Sequence, residues 1–526
     1  MKRKMKRKPA ILSLASVCLI ASSVAAPAAY AKTDDIQLRP AIENMEGQVK
    51  WNEAERSVAI QAGSVQAKVI IDSADAEVQG KKSSLDKKPY IQDGSTFVSP
   101  ATFKQIQTQL LQAQNKSGFE LAATFSMPGK NAEIVSSTPD GKTLLVTEAS
   151  LGSISIVSID DLNNIQALKQ VSFKSVSGQA EVTSVAVMPN GKHALVAVRK
   201  GDDVDHANKG ALAVVDIAAG TIVKTYEVGI GPDAVTFSKD GTAAVVCIED
   251  EELDPALDEI DFSRVKRPGS IAVFSFPNGD ALNGTMTDIP LDLTNAGPDV
   301  TYPNDPQPEY AAISPDGTTA AVTLQENNAI ALVDLKDKKV TKVFDLGTTK
   351  HKADLKNDGI IAFKDDLTAR PEADGIVWSA DGRYLYTANE GDLGKDEFKD
   401  GVKSGGRNIM AWDLNGSVVY DSMELIDRSN AKVGLYPDDR SPNRGSEVEN
   451  LTLGEVDGKQ ILAVCSERAS TILFFDVTDA AKPSYLGLVP AGGTAPEGIH
   501  KVNGRDLFVS AEEETGTLSF YQYTKK

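Results

Sequence analysis

Cysteine is scarce in this 526-residue chain: there are three, Cys18, Cys247 and Cys465. One of them lies in a leader-like stretch, so the small scaffolds held together by several disulfides are excluded. Histidine is nearly as rare. His193, His206, His351 and His500 are scattered, with none of the close pairing that zinc sites use. Positive charge is in deficit, with 55 Lys and Arg against 74 Asp and Glu, for a net charge of −19. Such a surface repels nucleic acid and anionic membranes. Neither a Gly-x-Ser-x-Gly elbow nor a glycine-rich phosphate loop occurs.

Long apolar runs are missing beyond the N-terminus. Lys2 to Lys8 is basic, Ile11 to Ala26 is mostly apolar, and Ala29-Tyr30-Ala31 supplies small residues for cleavage. This pattern predicts a secretory signal peptide over residues 1–31 and a secreted or cell-wall-associated protein. A retained anchor fits less well, because the apolar run falls short of the roughly 20 residues a bilayer requires. Cleavage takes the net charge from −19 to −25. Cys247 and Cys465 fall in second strands of different repeat units, which predicts two separate buried thiols.

What is abundant is one turn. Thr138-Pro139-Asp140-Gly141, Met188-Pro189-Asn190-Gly191, Ser238-Lys239-Asp240-Gly241, Ser314-Pro315-Asp316-Gly317 and Ser379-Ala380-Asp381-Gly382 each separate two β-prone runs. Looser copies end at Gly458 and Gly504. A third strand follows each hairpin, as in Ala213-Val214-Val215-Asp216 or Ile472-Leu473-Phe474-Phe475-Asp476. Units of 46 to 76 residues with several strands each predict radial repetition: a mainly β fold, a seven-bladed β-propeller over 119–526. The last unit supplies only three strands, while an orphan strand, Phe119 to Phe125, precedes the first unit. Pairing the two would close the ring and remove an exposed edge.

Residues 41–115 do not fit the repeat. They read as a small α+β module of short strands and one helix, Ala101 to Gln114, followed by a polar linker, Gln112 to Gly118. The strand with Trp51, the hairpin at Gly80 and Asp93-Gly94-Ser95-Thr96-Phe97-Val98 leading into the helix resemble the copper amine oxidase N-terminal-like domain. Copper itself is not expected, because this stretch contains no His and no Cys. A stalk or attachment role, folding separately, is the expectation.

The propeller has a second resemblance. Pro308-Glu309-Tyr310, Val322-Thr323-Leu324-Gln325-Glu326-Asn327-Asn328, Thr387-Ala388-Asn389-Glu390-Gly391-Asp392, Glu447-Val448-Glu449-Asn450-Leu451, Ser466-Glu467-Arg468 and Ala495-Pro496-Glu497-Gly498 follow in order. Together they resemble the choice-of-anchor I family, secreted propellers also called mesenchyme-specific cell surface glycoprotein-like. Arg370-Pro371-Glu372-Ala373-Asp374 departs from the pattern. The resemblance implies a surface or secreted location and little defined chemistry.

The repeat also carries carboxylates. Glu133, Asp233, Glu309 and Asp374 stand eight residues before their turn glycines, Glu449 nine and Glu497 seven, while the second unit has Thr183 with Glu181 nearby. Glu148, Glu249, Glu326, Glu390, Glu467 and Glu512 end the second strands, with Arg199 in the second unit. Antiparallel pairing puts both sets at one mouth of the ring. Their repulsion must be relieved by cations, arginines, backbone N–H groups or protonation. Hard oxygen ligands without imidazole favour Ca²⁺ or Mg²⁺, and the metal candidates are Glu133, Asp233, Glu309, Asp374, Glu449 and Glu497. The competing reading makes these acids register pins between blades. The expected function is non-catalytic: a recognition or structural protein binding a surface ligand or cell-wall component through the mouth and the loops 201–210, 250–268, 391–407 and 427–446. The alternative is a Ca²⁺-dependent phosphoester hydrolase, for which only Arg199, Arg468 and Lys501 offer a phosphate cradle.

Overall fold

A computed structural model describes residues 34–201, 207–254, 259–260, 267–393 and 401–525. The leader expected at 1–31, with Cys18, lies outside the described residues, as do His206 and parts of three of the four loops named above.

The repeated turn is built locally. In Thr138 to Thr143 the Thr138 hydroxyl donates to Asp140 Oδ1 at 2.6 Å, and Asp140 Oδ1 accepts from Lys142 N at 3.1 Å. Ser238/Asp240, Ser314/Asp316 and Ser379/Asp381 repeat the arrangement. The fourth residue has φ near +70°, which only glycine adopts cheaply: 66° at Gly141, 71° at Gly241, 74° at Gly317 and 69° at Gly382. Each turn joins the first and second strands of a four-stranded antiparallel sheet.

These sheets form a mainly β structure, a β-propeller. The innermost strands are Val135–Ser137, Glu181–Val187, Pro232–Phe237, Pro308–Ile313, Ile376–Trp378, Leu451–Val456 and Pro496–Lys501. Each lies against the next, and Pro496–Lys501 lies against Val135–Ser137. Second and third strands, such as Ala243–Ile248 and Ser270–Ser275, are buried on both faces and read as continuous Val, Ile, Ala and Phe. The last sheet takes its fourth strand from the other end of the region, with Phe119–Ser126 pairing antiparallel to Thr517–Tyr523. Phe119 is fully buried and stacks on Phe474 at 4.3 Å. Cys247 and Cys465 are free and buried.

The N-terminal segment has more structure than its sequence suggests. A five-stranded sheet from Gln48–Asn52 to Lys81–Ser84 and a small three-stranded sheet accompany helices α1 (Leu38–Asn44) and α2 (Pro100–Gln114). Ser99 caps α2, accepting from Thr102 N at 3.1 Å, and Pro100 occupies its first turn. The expected polar linker is not a free spacer. Gln112 to Gln114 belong to α2, Lys116 N donates to Leu486 O, and Thr524 N donates to Gly118 O.

Leu38, Ile42, Met45, Ile106 and Leu110 share one apolar core with Tyr386, Ile409, Ile426, Val433 and Leu488 of the propeller. Gln107 Nε2 donates to Gly434 O at 3.2 Å, and Asn44 Nδ2 to Gly359 O at 3.0 Å. This docking alters the expectation of a separable stalk. Each large apolar side chain uncovered costs about 1.5–3 kcal/mol. Removing residues 34–114 is therefore expected to lower the melting temperature of the remainder and to expose apolar surface to a hydrophobic dye. An unchanged melting curve would restore the separable stalk.

Candidate functional site: the acidic mouth

The start of each innermost strand meets the end of its neighbour in the same sheet. Pro232 pairs with Ile248, Pro308 with Leu324, and Pro496 with Glu512. Carboxylates at those positions are consequently driven to one end of the ring. Their mutual repulsion reaches from sheet to sheet. Burial, followed by the charges of Asp233, Asp374 and Glu326, pushes the Glu309 carboxyl well above its ordinary range. Burial and then Glu390 and Asp233 do the same to Asp374. Glu449 is raised by burial and by Glu390, Glu467, Asp374 and Glu497, and Glu497 by burial and by Glu513, Glu133, Glu467 and Asp374. Glu133 is pushed up to about 7 by burial, against a hydrogen bond from Asn131. The six acids singled out by their spacing do converge on one mouth.

Within that mouth the structure draws two tight groups. Asp233, Glu249 and Glu309 each bring an oxygen within 4.8 Å of the others, and so do Glu390, Glu449 and Glu467. Each group mixes the two sets, because the end of a second strand lies beside the start of a first. Glu133 and Glu497 belong to neither group among the described residues, and Asp374 borders the second through a hydrogen bond with Glu449.

Arginines answer part of this charge. Arg199 reaches Glu249 at 2.8 Å, Asp233 at 3.6 Å and Glu251 at 2.8 Å. Beside the second group, Arg444 contacts Glu390 at 3.0 Å and Arg468 contacts Glu467 at 3.2 Å. Arg468 also pairs at 3.1 Å with Glu447, which is fully buried and receives Arg440 Nε at 2.6 Å. Sequence spacing does not reveal Arg440 and Arg444, because they stand in the irregular segment after helix α3 (Leu425–Ala431). Lys501, expected near the mouth, instead turns its ammonium toward Val502 O and lies over the Phe508 ring. His500 is a core residue that accepts from Ser137 N at 3.2 Å, and burial lowers its pKa to about 4.

Two of the second-strand acids, Glu148 and Glu512, are not part of the funnel's open chemistry, which corrects the expectation that both sets crowd the mouth in full. Glu148 Oε2 accepts from Ser153 at 3.0 Å, Ser155 at 3.1 Å and Gln170 at 2.6 Å. Glu512 accepts from the hydroxyls of Ser510 and Ser519 and is fully buried. These two acids are pins within a blade, whereas the competing reading expects pins between blades. Another acid, Glu372, ties the base of the 391–407 loop: its Oε2 accepts from Asp392 N at 3.1 Å, Leu393 N at 3.3 Å and Ser404 Oγ at 2.5 Å.

Burial pushes Glu512 and Glu372 each up to about 8. A carboxyl raised in the native state keeps its proton while the unfolded chain, near its ordinary 4.5, has lost it. The contribution of these two groups to native stability is then expected to fall as pH rises from about 4.5 toward 8, by about 1.4 kcal/mol per pH unit for each. Glu512→Gln is expected to flatten this decline by one group's share in urea titrations between pH 5 and 8.5. An unchanged slope would show that Glu512 is ionised in the fold.

The choice-of-anchor I domain family matches over residues 133–404 and 394–480, and the copper amine oxidase N-terminal domain family over residues 21–116. No curated protein matches the sequence. Among solved structures, hydrazine synthase of Kuenenia stuttgartiensis is similar at 15% identity and a TM-score of 0.48, covering 75% of this chain and 96% of that one. The β-propeller domain of Cps50 (Swd1) from Myceliophteria thermophila is similar at 9% identity and 0.48, covering 77% and 100%.

Proposed function

The chain belongs to the choice-of-anchor I family, and from that premise we propose that it is a secreted or cell-surface recognition protein. Its propeller has seven blades, its binding face is the acidic mouth, and a divalent cation, Ca²⁺ or Mg²⁺, is part of that face. The seven four-stranded sheets among the described residues, with innermost strands in a closed cycle, support the blade count. The observation that carries the cation is the pair of three-carboxylate groups, each with oxygens within 4.8 Å. Like charges at that spacing are tolerated only with a proton or a cation between them, and all-oxygen donor sets suit hard divalent ions. The family supports the surface location, and no helix among the described residues is long and apolar enough to cross a membrane.

A hydrolase would need arginines free to hold a phosphate. Arg440, Arg444 and Arg468 are each engaged by a carboxylate, which favours recognition over hydrolysis. The test is thermal melting with Ca²⁺ or with chelator. A ligand of the native state alone stabilises by about 2.7 kcal/mol at one hundred times its dissociation constant. The melting temperature is expected to rise with Ca²⁺ and to return with chelator. Indifference to both would retire the cation, and failure to label the chain on intact cells would retire the surface location.

A further inference from the structure

The two carboxylate groups at the mouth are not equivalent, and the difference lies in what stands between their members. In the first group one guanidinium nitrogen, Arg199 Nη2, touches both Glu249 at 2.8 Å and Asp233 at 3.6 Å. An internal cation already bridges two of the three acids. In the second group no arginine among the described residues bridges members. Arg444 holds Glu390 and reaches outward to Gly391 O and Asp392, while Arg468 holds Glu467 and reaches outward to Glu447 and Glu514. Both clamp the flanks and leave the centre to carboxylates alone.

Two further observations mark that centre. Glu449 brings an oxygen within 4.8 Å of both Glu390 and Glu467, and among the described residues it forms no ion pair and its buried Oε2 has no hydrogen-bond partner. Asp374 is only 8% exposed and faces the same place: its carboxyl meets Glu449 and feels Glu390, yet no N–H or side-chain hydroxyl among the described residues donates to it. Leaving a buried carboxylate oxygen such as Glu449 Oε2 unsatisfied costs several kcal/mol in a fold of ordinary stability. A proton between Asp374 and Glu449 relieves one contact of this cluster, and a cation at its centre would neutralise the rest.

We infer that the seam between the fifth and sixth sheets is a divalent-cation site, with Glu390, Glu449, Glu467 and Asp374 as its ligands. This rests on the reading of the mouth as a cation-binding face and narrows it. Of the six acids that stand seven to nine residues before a turn glycine, only Asp374 and Glu449 are ligands. The other two, Glu390 and Glu467, come from second strands. Asp233, Glu249 and Glu309 form the counterpart that Arg199 satisfies internally. The ion is hard and oxygen-loving, Ca²⁺ or Mg²⁺, with Mn²⁺ a surrogate of like preference, because the donor set holds no nitrogen or sulfur. Arg444 and Arg468 act as positioning residues that fix the rotamers of Glu390 and Glu467.

The test uses the full chain. Crystals soaked in Mn²⁺ are expected to show an anomalous peak among Glu390, Glu449 and Glu467, and calorimetry with Ca²⁺ to show one strong site. Glu449→Gln and Asp374→Asn should each weaken binding at least tenfold, while Glu309→Gln leaves it within threefold. Should either variant misfold, the position of the Mn²⁺ peak in the unaltered protein decides alone. A peak among Asp233, Glu249 and Glu309 would overturn this assignment and leave the cation-binding mouth standing. No peak and no heat with any divalent ion would overturn both.

Discussion

A chain lacking residues 119–126 is expected not to fold. Those residues form the outer strand of the last sheet, paired along the whole of Thr517–Tyr523. Removing them takes away a ladder of backbone hydrogen bonds and leaves an open sheet edge, the feature closed β architectures exist to avoid. It also removes Phe119, whose ring lies against Phe474, Phe508 and Tyr523 at 4.3, 5.3 and 5.4 Å. An aromatic core residue alone is worth about 3–5 kcal/mol on truncation. Added to a lost strand, that is of the order of a domain's whole stability. The expected observation is insoluble or molten protein, seen as a missing cooperative transition in circular dichroism. The point variant Phe119→Ala should still fold and melt lower. A soluble deletion variant with an unaltered transition would mean the ring is closed some other way.

What the sequence discloses is whatever is decided within a few residues. The hairpins are legible because Ser or Thr, Asp and Gly satisfy one another inside a six-residue turn, as Ser314, Asp316 and Gly317 do. The closing strand is legible because counting strands leaves one unpaired at each end. The mouth is legible as a place, since a constant offset from a hairpin turn is a constant height on the blade. Which acids act together is another matter. Glu148 and Glu390 share an offset class, but Ser153, Ser155 and Gln170 surround one and Arg444 and Gln325 the other. Those neighbours come from third and fourth strands and from a loop of another sheet, where no spacing rule reaches. Arg440, Arg444 and Glu447 escape for the same reason. The docking of α1 and α2 is invisible because their apolar faces read equally well as the private core of a small module.

The loop that carries Arg444 depends on one buried arginine, and its loss is expected to be costly. Arg407 is fully buried with a left-handed φ of 57°. Its Nη1 donates to Asp354 O at 3.0 Å, and its Nη2 to Ser441 O at 2.9 Å and Asn443 O at 2.6 Å. Its nearest charge is Asp427 on α3, at 3.7 Å and equally buried. Asp427 in turn accepts from Ser446 N at 3.0 Å. One side chain therefore fastens the 354 loop, α3 and the 438–446 segment, behind the arginines that clamp the proposed cation site. Arg407→Met keeps the volume and removes the charge and every donor, leaving the Asp427 carboxylate buried without its cation. Breaking such a pair from one side costs about 3–5 kcal/mol, much of it the penalty of the stranded partner. The double variant Arg407→Met with Asp427→Leu removes that stranded charge and should be less destabilised than the single one, a coupling that a double-mutant cycle in urea would measure. The single variant should also weaken Ca²⁺ binding, since Arg444 loses its footing. A cost below about 1 kcal/mol for Arg407→Met, or strict additivity of the two changes, would show that the pair does not hold these segments together.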